Sequence, residues 1–266
     1  MDTLIYSKVG ANKMRILSLI TAFFLFLHGS ARAEQVVLQV PEVSKLPIHA
    51  LESTVSQVNM IAIIGGKGLK NPHGRSKNFL VRQRKNFFRN KVNFYLLPNP
   101  KKQKNAGYSF RESAKNIDRI RALVGIIKRR NRLPVYVVGF SRGTVDAAAY
   151  GKKYPNSISG IVVVSGVYEN SSSKASMHSM GLIIGRKLET PILIVHHERD
   201  ECHVTDFNAA YSFFKNLKSD RKRFMRFSSG TANGRACGPF HYHGFEGEER
   251  KVANMIASWL VKTNAD

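Results

Sequence analysis

The segment Val135-Tyr136-Val137-Val138-Gly139-Phe140-Ser141-Arg142-Gly143 restricts the fold of this chain more than any other. Its apolar, β-branched start suits a strand buried on both faces and is too short for a helix. It runs straight into Gly-x-Ser-x-Gly, and the alanine-rich stretch Thr144 to Tyr150 that follows reads as a helix. A strand turning directly into a helix implies a parallel sheet with crossover helices. The turn is so sharp that a side chain two residues before or after the serine meets neighbouring backbone, and Gly139 and Gly143 remove those side chains. It lifts the serine hydroxyl above the sheet and aims the first helical N–H groups at whatever lies there. The plainer alternative is a glycine-flanked turn in a nucleotide-binding sheet.

The rest of the chain agrees with a parallel sheet. Strands are expected at Val36 to Val40, Val58 to Ile64, Val92 to Leu97, Ile158 to Val164, Ile192 to Val195 and Arg223 to Phe227. Helices are expected at Phe79 to Arg89, Ser113 to Arg130, Asp206 to Leu217 and Glu248 to Val261. Alternation of this kind predicts an α/β architecture with helices on both faces. About 27 residues, rich in serine, separate the strand ending at Val164 from the one opening at Ile192. That leaves room for a short flap and not for a large lid.

The N-terminus reads as a targeting segment. Lys13 and Arg15 precede an apolar stretch, Ile16 to Leu27, and Ala31-Arg32-Ala33 follows it. A basic region, a short apolar region and an A-x-A site describe a secretory signal peptide over residues 1–33. Met14 makes a tidier start than Met1. The expected mature domain is 34–266, a single domain in the periplasm or outside a bacterial cell. No apolar run reaches the ~20 residues of a spanning helix.

The whole chain has 42 Lys and Arg against 18 Asp and Glu, a formal charge of +24. Residues 1–33 hold four basic side chains and one acidic one, so residues 34–266 keep +21. Basic runs stand at Lys101-Lys102-Gln103-Lys104, Lys128-Arg129-Arg130 and Arg221-Lys222-Arg223. Such a surface attracts polyanions, including an anionic envelope, without selecting one. Export argues against a specific nucleic-acid partner.

A serine nucleophile needs a base, and the base needs an acid to orient it. In a parallel sheet both come from loops at the C-terminal strand ends. His196-His197-Glu198-Arg199-Asp200-Glu201-Cys202 follows one strand and offers Asp200, with Glu198 and Glu201 as competitors. Phe240-His241-Tyr242-His243-Gly244-Phe245 lies between the last strand and last helix and offers His243, with His241 as competitor. The glycine after His243 suggests an exposed loop position. An oxyanion needs two N–H donors. Arg142 supplies one from its backbone, and Gly66 or Lys67 in Gly65-Gly66-Lys67-Gly68 the other. That run is neither a phosphate loop nor a dinucleotide fingerprint. His196, His197, Cys202 and His203 match no zinc spacing, so no metal is expected, and a serine acting with a base and an acid needs no organic cofactor.

Ile61 to Gly68, Asn78 to Arg82, Val138 to Gly143, His196 to Cys202 and Tyr242 to Phe245 together resemble small secreted bacterial α/β-hydrolases. The order Ser141, Asp200, His243 is that of the α/β-hydrolase triad. The resemblance implies the α/β-hydrolase fold, without a large lid, and a triad of Ser141, Asp200 and His243, and it implies no substrate; the reaction expected from such a triad is hydrolysis of a small-molecule acyl substrate. Esterase activity comes first, with amide or thioester cleavage, peptidase activity and acyl transfer as neighbours. A polyanion-binding envelope protein on the same scaffold is the non-catalytic alternative.

Cys202 and Cys237 are the only cysteines. One lies just past Asp200 and the other just before His243, so assembly of the triad predicts a disulfide between them.

Overall fold

The computed structural model describes residues 34–100, 103–168, 175 and 177–263. The segment read as a signal peptide and part of the serine-rich stretch before Ile192 lie outside them.

The sheet has eight strands: β1 (Glu34–Leu38), β2 (Ile48–Glu52), β3 (Val58–Ile63), β4 (Val92–Leu96), β5 (Val135–Phe140), β6 (Gly160–Val164), β7 (Ile192–His197) and β8 (Lys222–Phe227). Their order is β1-β2-β4-β3-β5-β6-β7-β8. β1 and β2 pair antiparallel, β2 pairs antiparallel with β4, and the pairings from β4 through to β8 are parallel. The helices are α1 (Phe79–Arg82), α2 (Arg84–Arg89), α3 (Tyr108–Glu112), α4 (Ala114–Asn131), α5 (Gly143–Lys153), α6 (Met180–Ile184), α7 (Phe207–Asn216) and α8 (Glu249–Lys262).

The continuous apolar runs are explained by two cores, one on each face of the sheet. Along β5, Val135 and Val137 enter one core, while Tyr136, Val138 and Phe140 enter the other. β7 divides likewise, Ile192 and Ile194 against Leu193 and Val195. The first core is closed by α4 through Ile117, Ile120, Leu123 and Ile127, and by the small residues of α5. The second is closed by Phe79 and Phe87 from α1 and α2, and by Val252, Ile256 and Leu260 from α8. Burial on both faces removes the alternation of a half-exposed strand.

Three local readings need correction. β1 ends at Leu38, short of Val40. The helix expected over Phe79 to Arg89 is two helices meeting at Gln83, and nothing in the local sequence marks the break. β2 and α3 carry no strong local signal: each is five residues long and takes its place from packing. Between β6 and β7 the described residues contain one short helix, α6. No helix among the described residues is long and apolar enough to cross a membrane.

Candidate active site

Ser141 stands between the end of β5 and the start of α5 with φ 53°. A left-handed backbone at a residue other than glycine costs roughly 1 kcal/mol or more and persists only where its surroundings over-determine it. Here they do. The Ser141 N–H donates to the Val164 carbonyl at 2.9 Å, and the Ser141 carbonyl accepts from Thr144 N and Thr144 Oγ1 at 2.9 and 2.6 Å. A Cβ at Gly139 would come within 2.6 Å of Thr144 Cα, and one at Gly143 would meet the carbonyl of Ile63. The motif's glycines are therefore required by close approach.

His243 and Asp200 meet at the adjoining strand ends, Asp200 beyond β7 and His243 in a short 3-10 turn, Tyr242–Gly244, before α8. His243 Nδ1 lies 2.9 Å from Asp200 Oδ2, with both side chains almost wholly removed from solvent. Asp200 Oδ1 accepts from the Cys202 N–H at 3.0 Å, and Oδ2 also accepts from Thr205 Oγ1 at 3.0 Å. Burial pushes the Asp200 carboxyl up. The His243 imidazole, the His196 ring and the Cys202 N–H outweigh burial and hold it below its ordinary range. An ionised carboxylate on Nδ1 favours the tautomer that leaves Nε2 as the acceptor. The Phe140 ring packs edge-on to the imidazole at 5.1 Å, and Ser165 Oγ donates to the His243 carbonyl at 2.9 Å. No hydrogen bond joins the Ser141 hydroxyl to His243 among the described residues. Contacts between nucleophile and base are commonly loose until substrate is bound.

The loop after β3 lies against the serine. A Cβ at Gly65 would stand 2.7 Å from Ser141 Cβ and 2.8 Å from the Phe140 carbonyl. Gly66 and Gly68 take left-handed φ values of 57° and 76°. The N–H groups of Gly66, Lys67 and Arg142 have no partner among the described residues, so they remain available as donors.

Asp200 is the carboxylate on His243, and the competitors lie elsewhere. Glu198 Oε1 is 3.4 Å from Arg226 Nε, and Glu201 Oε2 is 3.4 Å from His241 Nε2. The expected exposure of His243 is wrong: its residue is 1% exposed, because its ring is enclosed by Phe140, Asp200 and Thr205 and its carbonyl is held by Ser165 rather than left on an open loop. His197 stacks on Tyr242 with ring centroids 4.7 Å apart. His196 is fully buried, with Nε2 on the Thr205 carbonyl. Burial pushes His196 below its ordinary value, against the pull of Asp200 and the Thr205 carbonyl.

Cys202 and Cys237 form a disulfide with Cα atoms 4.6 Å apart. Cys202, His203 and Cys237 are the one close group of metal-ligand residue types among the described residues. Both sulfurs are spent in the bridge, so the group lacks thiolate ligands.

Three participants escaped the sequence reading. Thr205 Oγ1 touches both members of the acid–base pair, lying 3.2 Å from His243 Nδ1. Ser165, with φ 44°, ends β6 as Ser141 ends β5 and holds the His243 carbonyl. Arg111 is buried and spans the loop after β3 and α5. Its Nη2 donates to the carbonyls of Ile64 and Gly66 at 3.1 and 3.3 Å, and its Nη1 meets Asp146 Oδ2. Asn116 Nδ2 donates to Asp146 Oδ1 at 2.7 Å. An aspartate inside an alanine-rich helix was the only hint, because a buried carboxylate demands a partner.

The sequence matches no protein-family model and no curated protein. Its fold is similar to solved structures. Est1E from Butyrivibrio proteoclasticus shares 13% identity with a TM-score of 0.59, over 87% of this chain and 99% of that one. Dienelactone hydrolase from Anabaena variabilis shares 12% identity with a TM-score of 0.59, over 87% and 98%. An α/β serine hydrolase homologue from Coxiella burnetii shares 16% identity with a TM-score of 0.55, over 86% and 96%. At these identities the likeness is one of fold, and the chain has the α/β-hydrolase fold.

Proposed function

We propose that this protein is a serine hydrolase acting on carboxylic esters through Ser141, His243 and Asp200. The observation that carries the reading is the conjunction of a left-handed serine at a strand-to-helix turn with a buried Asp200–His243 pair at the neighbouring strand ends. The esterases and hydrolases among proteins of similar fold support the reaction class.

Ser141 Oγ attacks the acyl carbon while His243 Nε2 takes its proton. Asp200 keeps the imidazole oriented and stabilises its cation. The oxygen that gains charge is held by the backbone N–H of Arg142 and that of Gly66 or Lys67; losing one such donor costs roughly 3 kcal/mol in comparable sites. His243 returns the proton to the departing alcohol. A water, activated by the same imidazole, then releases the acid and restores the serine. No organic cofactor enters this scheme.

We also propose export. The support is the basic–apolar–A-x-A pattern of residues 1–33 and the disulfide, which suits an oxidising compartment. The N-terminus of exported protein is then near Glu34, and recovery of uncleaved protein from the membrane refutes export.

A polyanion-binding role without catalysis has weaker support. Arg130 pairs bidentately with Glu52 at 2.8 Å on both nitrogens, and Lys222 Nζ caps the carbonyls of Phe214 and Leu217 at the end of α7. Two of the basic runs thus contribute to intramolecular contacts. The deciding experiment is labelling by a fluorophosphonate probe with an ester screen of graded acyl length. The intact protein labels and turns over, and Ser141→Ala does neither while staying folded. Full activity in Ser141→Ala overturns the assignment.

A further inference from the structure

Arg142 carries its guanidinium in a place the oxyanion role of its backbone does not explain. The guanidinium carbon lies 5.0 Å from the centre of the Tyr108 ring, and Tyr108 stacks in turn on His178 at 5.2 Å. Arg142 is half-buried, yet no carboxylate pairs with it among the described residues. Glu112, on the same short helix as Tyr108, has its Oε1 2.8 Å from His178 Nδ1. Lys67, exposed in the oxyanion loop, adds a second cation without an acidic partner among the described residues. An arginine resting on an aromatic face has less freedom to lose when it grips a planar anion, and its fork suits a carboxylate.

The side on which it lies matters. The Ala106 N–H donates to the Lys67 carbonyl at 3.1 Å, and Arg111 ties the same helix, α3, to Ile64 and Gly66. Tyr108 is thereby tied to the loop after β3, its stacking partner His178 comes from the connection after β6, and its ring enters the core on the α4–α5 face of the sheet. His243 is held by Ser165 after β6 and Asp200 after β7 and packs on Phe140, whose ring enters the core on the opposite face. A leaving alcohol must sit within reach of His243 to collect its proton. A group that reaches Arg142 is then part of the acyl half.

Resting on the hydrolase reading above, we infer that Arg142 forms an anion subsite and that the preferred substrates carry a carboxylate on the acyl moiety, as in half-esters of dicarboxylic acids. The test uses protein expressed from the full chain and two matched pairs of esters. One pair is the para-nitrophenyl ester of adipic acid and its methyl-capped analogue. The other, with the anion on the leaving group, is para-acetoxybenzoate and its methyl ester. The ratio of kcat/KM for charged over neutral acyl ester is expected to be about tenfold or more, the range of one charge-assisted contact. That ratio falls at least tenfold in Arg142→Gln, recovers in part in Arg142→Lys, and shrinks as salt is raised. Fluorophosphonate labelling of Ser141 in each variant verifies that the site is assembled. The inference is overturned by a ratio near one in the unaltered protein, by a ratio unmoved in Arg142→Gln, or by a preference confined to the leaving-group anion. If no ester is cleaved and Ser141 does not label, the hydrolase reading fails and the subsite with it. If neutral esters are cleaved as well as charged ones, the subsite alone fails.

Discussion

Arg111 and Asp146 form an ion pair whose side chains are 1% and 2% exposed, joining the helix beside the loop after β3 to the helix that begins after Ser141. Removing one partner of such a pair leaves a charge in the interior without compensation, at a cost of roughly 3 to 5 kcal/mol. Arg111→Met and Asp146→Leu are each expected to lower the denaturant midpoint strongly. The double variant recovers part of that loss, because two apolar side chains replace two charges. Its activity does not recover, since the carbonyls of Ile64 and Gly66 have lost their anchor. Chemical denaturation alongside ester turnover of all three variants checks this.

Thr205 is expected to orient the acid of the proposed triad. Its hydroxyl donates to Asp200 Oδ2 and adjoins His243 Nδ1. Thr205→Val keeps the volume and removes a hydrogen bond to a charged group, worth roughly 2 kcal/mol. A fall of about tenfold in kcat/KM is expected from a loss of about 1.4 kcal/mol in the transition state. Thr205→Ser restores most of it. Equal activity in Thr205→Val and the unaltered protein refutes the role.

The disulfide ties the acid loop to the chain leading into the base. It closes a loop of 35 residues, to which the chain-entropy model credits about 4 kcal/mol. Paired Cys202→Ser and Cys237→Ser substitutions are expected to lower the melting midpoint. Activity at a temperature where the sheet is still folded also falls, because the Cys202 N–H that holds Asp200 Oδ1 belongs to the bridged segment. A variant with full activity and a lowered midpoint leaves the bridge a purely global brace.

Acid weakens the fold in two windows with the same sign. Burial depresses His196 below 6.5, its ordinary value, so the unfolded chain binds a proton that the native state resists. That contribution is complete above 6.5 and fades as pH falls beneath it. The Asp200 carboxyl, held below its ordinary 3.8 by the His243 imidazole against the effect of burial, contributes fully above that value. Its share is lost as pH falls through the depressed value. The groups facing His196 are Asp200, His243, Asp206 and the Thr205 carbonyl. Urea midpoints are expected to drop between about pH 7 and pH 5, with a shallower drop in His196→Gln. A midpoint independent of pH over that range refutes the assignment.

The strands other than β2, the long helices and the serine turn were legible in the chain because each announces itself locally. Apolar runs such as Ile192 to Val195 are short and β-branched, and the glycines around Ser141 remove side chains that the turn has no room for. The pairing of Asp200 with His243 was legible one step further out, because chain order and strand ends limit which carboxylate and which imidazole can meet. What the chain did not announce depends on distant contacts. β2 is a strand because β1 and β4 flank it. His243 is buried because Phe140, Asp200, Thr205 and Ser165, all distant from it in the chain, close around it. Thr205, Ser165 and Arg111 are ordinary residues until folding brings a carboxylate, an imidazole carbonyl or a glycine loop against them. A local pattern records what a residue needs from its neighbours in the chain. The partner that meets a buried polar atom is chosen by the packing of the two cores around the sheet, and that choice exists only in three dimensions.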